Sequence, residues 1–253
     1  MRTYGIEIEI SDKASLITKD FLQSCSFRRT QDFTIKGDDT AEFVSKKFSE
    51  PSDFQNIEKL VFELNRVGAH GNKSSGIHFH IGAKDFEITD ILNLAMTMTW
   101  ADEIFWTFVP KHRRNGSNYT FLSAQHNLLL HPSLVTQVYK SKVDYSSKFL
   151  KFKGCNLQAI SEHRTVEYRY FDTDLDINHL MCYHNLCDKF TSYVKQNGYV
   201  RCPYKYSGMT CKKSNDIRKD FLTRLGISDI LLEDIAKDRK IKKWKLHNIQ
   251  ETV

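Results

Sequence analysis

Three segments alternate charged or imidazole side chains with apolar ones: Tyr-Gly-Ile-Glu-Ile-Glu-Ile at 4–10, Gly-Ile-His-Phe-His-Ile-Gly at 76–82 and Arg-Thr-Val-Glu-Tyr-Arg-Tyr-Phe at 164–171. In a β-strand, residues i and i+2 share a face. Glu7 and Glu9 therefore point away from Ile6, Ile8 and Ile10, and His78 and His80 away from Ile77, Phe79 and Ile81. Glu167 and Arg169 oppose Val166, Tyr168 and Tyr170 in the same way. A sheet with one apolar face and one face of carboxylates, imidazoles and a guanidinium has the donor set of a metal and anion site.

The rest of the chain bounds what surrounds that sheet. Its 253 residues are 40% hydrophobic, enough for one large domain. We expect a catalytic domain over 1–200 and a basic, mostly helical extension of it over 201–253. The four prolines and eleven glycines leave little room for long linkers. No run of 18 apolar residues suits a membrane span, and the N-terminus lacks the positive-then-apolar organisation of a signal peptide. A cytoplasmic protein is expected, with its six cysteines reduced. The excess of 37 Lys+Arg over 31 Asp+Glu suits a polyanionic ligand such as a nucleotide triphosphate. The basic cluster from Lys237 to Lys245 reads as a solvated face, so nucleic acid is not the expected partner.

Between the alternating segments, periodicity predicts a helix over 13–24 and a hairpin of strands 33–36 and 41–48. It also predicts an amphipathic helix that begins at an Asp53 cap and stops at Gly68, and a long helix from Thr89 to Phe108. A basic loop, Lys111-His112-Arg113-Arg114-Asn115, follows. Residues 118–150 are mostly polar and aromatic, with weak helical character around Pro132–Tyr139. Strands at 155–161 and 164–171, a helix at 176–196 and a helical tail from 214 complete the chain. Without a regular βα repeat, the expected class is α+β, with an antiparallel or mixed sheet and helices on its apolar face.

Glu7 and Glu9 would lie about 6.5–7 Å apart along their strand. Like charges so placed call for a cation between or beside them. Magnesium is a hard ion that takes carboxylate oxygens, and manganese accepts an imidazole more readily. Glu42, His78 and Glu167 could complete such a shell with Glu7 and Glu9. Arg113 and Arg114 supply planar, permanently charged groups for phosphate oxygens. No glycine-rich phosphate loop is present, so a nucleotide would be held by sheet, metal and arginines.

Four ordered motifs, Gly5-Ile6-Glu7-Ile8-Glu9, Asp38-Asp39-Thr40-Ala41-Glu42-Phe43-Val44-Ser45, Gly76-Ile77-His78-Phe79-His80-Ile81-Gly82 and Thr165-Val166-Glu167-Tyr168-Arg169, resemble those of the amidoligases. These are carboxylate–amine ligases whose fold is similar to the catalytic domain of glutamine synthetase and glutamate–cysteine ligase. The resemblance spans roughly residues 3–190. It implies a curved half-barrel sheet with helices on its convex face, binding ATP and two or more magnesium ions on the concave one. ATP would phosphorylate a small-molecule or peptide carboxylate, and an amine would displace the phosphate to form an amide. By matching position, Glu7, Glu9, Glu42, His78 and Glu167 would be metal ligands, and Arg169 would contact phosphate or the acyl-phosphate oxygens. His80 would stand by the reacting groups, and Arg113 or Arg114 would clamp phosphate. Two alternatives remain open: a kinase for a small guanidino or carboxyl compound, and an inactive nucleotide-binding or scaffold protein.

Overall fold

A computed structural model describes residues 2–113, 154–200 and 211–228. Arg114, the 118–150 stretch and the basic cluster from Lys237 to Lys245 lie outside the described residues.

Six strands form one sheet: β1 (Tyr4–Ile10), β2 (Phe27–Thr30), β3 (Ala41–Ser45), β4 (Gly76–Gly82), β5 (Cys155–Asn156) and β6 (Thr165–Asp172). Their order is β2-β3-β1-β4-β6-β5, and every pairing is antiparallel. The three alternating segments thus become β1, β4 and β6, adjacent at the middle of the sheet. The class is α+β, as expected, and the sheet is antiparallel throughout.

The helices are α1 (Lys19–Ser24), α2 (Phe54–Val67), α3 (Ile88–Trp106), α4 (Ala159–His163), α5 (Ile177–Asn197) and α6 (Cys211–Arg224). Their apolar stripes cover the face that carries Ile6, Ile8, Phe79 and Tyr168. From α3, Phe105 stacks on Tyr170 at 4.6 Å between centroids; from α5, Tyr183 stacks on Phe171 at 4.3 Å. Phe54 of α2 and His184 of α5 meet around Tyr4. Phe221 of α6 contacts Trp100 and Phe190, so the C-terminal helix joins the same core.

Several local expectations are corrected. The partner of β3 is β2 at 27–30 and not 33–36. Asp32 accepts the Thr34 N–H at 2.7 Å in an Asx turn, which bends the chain where Phe33 and Ile35 had suggested a strand. The 13–24 helix is a 3-10 turn at Ala14–Leu16 followed by α1, whose start is capped by the Thr18 hydroxyl accepting the Phe21 N–H. Asp53 works one turn before α2, accepting the N–H groups of Ser49 and Glu50 at 2.9 Å on the 3-10 turn Pro51–Asp53. The 155–161 strand is two residues long before the chain turns into α4. Gly68 does end α2, at φ 70°.

Candidate active site

Directly opposed residues of an antiparallel pair share a face. Register therefore assembles the polar face: Glu9 lies opposite Glu42, Glu7 opposite His78, and His80 opposite Glu167. The rows extend outward to Thr30, opposite Glu42, and to Asn156, opposite Glu167. Residues 160 positions apart in sequence thus converge because β1 occupies the middle of the sheet.

His78 is the hub, at 1% exposure. Its Nδ1 lies 3.0 Å from Glu7 and 3.6 Å from Glu167, and its Nε2 lies 3.6 Å from Glu9. Two three-donor groups result, Glu7–His78–Glu167 and Glu9–Glu42–His78, each with its ligand atoms within 4.8 Å of one another. All five residues expected to hold metal are in them. The donors, carboxylate oxygens with one imidazole, fit magnesium or manganese.

Neighbouring groups orient these ligands. Glu9 accepts the Gly76 N–H at 2.5 Å. The Thr30 hydroxyl donates to Glu42 at 2.9 Å, and the Asn156 amide donates to Glu167 at 2.5 Å. Arg169 pairs with Glu167, and its Nη1 lies 3.3 Å from His78 Nδ1. Sequence reasoning missed Thr30 and Asn156. The available signal for Asn156 was a polar residue between the apolar Cys155 and Leu157, but its register could not be read.

The charges are unevenly held. Burial opposes ionisation of Glu7, but the imidazoles of His78 and His80 outweigh it and keep that carboxyl well below its ordinary range. Burial likewise opposes ionisation of Glu167, and Arg169 with the two imidazoles prevails, lowering it. Burial works against the Arg169 charge too, but Glu167, Glu9 and Glu7 hold it firmly protonated. Glu42 goes the other way: burial, reinforced by Glu7, pushes it up to about 7. A divalent cation beside Glu42 would favour its ionised form and oppose the rise that burial and Glu7 cause.

His80 belongs to neither three-donor group. Its Nδ1 contacts the Thr165 hydroxyl at 2.9 Å, and its Nε2 lies 3.2 Å from Glu7. It lines a cavity of about 270 Å³ beside Glu7, whose other walls include Arg28, Lys46, Lys47, His163 and Thr165. Arg113 reaches the polar face as well. A Cβ on Gly76, which shares the face of His78 and His80, would overlap the Arg113 guanidinium. That guanidinium is buried, and its Nη2 donates to the Arg169 carbonyl at 2.8 Å.

The family described as "Putative amidoligase enzyme" matches residues 20–191. The chain belongs to the amidoligase family. The matched segment contains Glu42, His78 and Glu167, whereas Glu7 and Glu9 stand on the strand before it. Among curated proteins, none matches the chain. No helix of the described residues is long and apolar enough to cross a membrane.

Proposed function

We propose that this amidoligase joins a carboxylate to an amine at the expense of ATP, through an acyl phosphate, with magnesium or manganese held on the polar face of the sheet. The observation that carries the reading is the pair of three-donor groups sharing His78, beside a cavity walled by cationic side chains. Ions bound there would neutralise phosphate oxygens and the charge that develops on the transferring phosphoryl group.

The chain's own residues supply binding and orientation. Arg28, Lys46 and Lys47 draw the nucleotide phosphates into the cavity, which His80 and Glu7 line together. Arg169 presents a permanent charge beside Glu167 and His78, where phosphate passes to the acid. In the first step a carboxylate oxygen bonds to the γ-phosphorus as the bond to ADP breaks. In the second the amine nitrogen bonds to the carbonyl carbon as phosphate leaves, and the proton that the nitrogen sheds goes to the departing phosphate. Neither step needs an enzyme nucleophile. Cys25, Cys155 and Cys187 are buried, and burial pushes their thiols up, so none offers a thiolate.

ATP turnover with panels of acids and amines tests the reading, with products identified by mass. An amide with ADP and phosphate is the expected outcome. A stable phosphorylated product without an amide would make the protein a kinase, and nucleotide binding without turnover would make it a scaffold. Wild-type turnover by Glu7→Gln and Glu167→Gln proteins would overturn the site itself.

A further inference from the structure

The ladder between β4 and β6 slips by one residue beneath the site. Phe79 opposes Tyr168, but Ile77 opposes Phe171, so His78 faces two residues, Arg169 and Tyr170. This bulge turns Phe171 onto the helix face, where unbroken alternation would have sent it to the polar one. Bulged backbone leaves the ladder, and its polar groups need other partners. The Arg169 N–H continues the β5 register by donating to the Gly154 carbonyl at 2.7 Å, whereas the Arg169 carbonyl takes a partner outside the sheet, the Arg113 Nη2. The place that Arg113 occupies exists because Gly76 has no side chain.

We propose, building on the ligase reading above, that Arg113 is a positioning residue that clamps the β6 bulge and thereby aims Arg169 at Glu167 and His78. It does not act as a phosphate clamp. Its guanidinium is committed to a backbone carbonyl and is 1% exposed, while the side chain that reaches the donor groups is that of Arg169. Gly76 is part of the device, because it supplies both the room for Arg113 and the N–H that orients Glu9.

Manganese binding to nucleotide-free protein, followed by loss of the free-ion electron paramagnetic resonance signal, separates the two roles by sign. Removing a cation near carboxylates strengthens cation binding on Coulomb grounds alone. Losing the bulge clamp misplaces Arg169, Glu167 and His78 and weakens it. Arg113→Met is expected to bind manganese about ten-fold more weakly, the usual scale for a lost orienting partner. Arg113→Lys, which retains charge and a donor, is expected to recover most of that loss. Gly76→Ala, which keeps the charge and presses on both the guanidinium and the Phe171 carbonyl of the bulge, is expected to weaken binding as Arg113→Met does. It decides the question if Arg113→Met fails to fold by circular dichroism. Manganese bound as tightly as by wild type in Arg113→Met, or in Gly76→Ala, overturns the positioning role. A wild-type protein that binds no manganese would instead refute the metal site on which the proposed function rests.

Discussion

Divalent ions should stabilise the fold, and the gain should divide between two separable sites. Without a cation, Glu7, Glu9, Glu42 and Glu167 share one face, and the strain shows in Glu42, raised to about 7 by burial and by Glu7. An ion at one hundred times its dissociation constant stabilises the native state by about 2.7 kcal/mol per site. For a chain of this size 1 kcal/mol moves Tm by about 2–4 °C, so one filled site should raise it by about 5–10 °C. Glu9→Gln disables the Glu9–Glu42–His78 group and leaves Glu7–His78–Glu167, while Glu167→Gln does the converse. Each single variant should retain part of the response, and the double variant none. Thermal melts of chelator-treated protein across a manganese titration read this directly. Below pH 7 an ion at the Glu42 group must displace a proton, so affinity there should fall about ten-fold per pH unit and level off above 7. An undiminished shift in the double variant would refute the assignment of these carboxylates.

Three further outcomes are expected. Burial in the ring cluster of Tyr4, Phe54 and Phe79 pushes His184 down to about 4, partly offset by Asp188, so below pH 6.5 the unfolded chain takes up a proton that the fold refuses. Stability is then full above 6.5 and falls toward 4, by about 2 kcal/mol between pH 7.5 and 5, and denaturant melts of His184→Phe should lack that fraction of the loss. Asn156→Leu removes the donor from buried Glu167 at a cost of about 1–3 kcal/mol in chelator, and manganese should restore part of it in the same melts. Charge reversal at Lys46 and Lys47 should weaken ATP binding and flatten its salt dependence, measured by calorimetry, while nucleotide-free manganese binding is kept or strengthened.

Alternation was enough to place the site on the sheet because the device is the same on β1, β4 and β6. Each strand puts its carboxylate, imidazole or guanidinium groups on one parity and its aliphatic and aromatic groups on the other. Once three such strands are neighbours and antiparallel, opposed residues must share a face, so four of the five candidate ligands meet whatever the loops do, and Glu42 joins them from β3 opposite Glu9. Alternation carries no information about edges. The β2 strand buries only Phe27 among its four residues, while Asp32 bends the more apolar stretch after it, so alternation places the outer strand of the hairpin six residues too late. Periodicity is equally blind to the bulge in β6. An extra residue leaves the composition of a strand intact and shows only as a broken register against its neighbour. That blind spot falls on the part of the site that matters most to Arg113. From the chain alone, an arginine after a helix end looks like a phosphate ligand, because charge is all that the sequence displays. Among its partners is the backbone carbonyl of another arginine, and only the fold brings a bulge, a glycine and a guanidinium to one point. The ligands of such a site can be read from side-chain chemistry, whereas the groups that aim them act through backbone geometry and must be found in three dimensions.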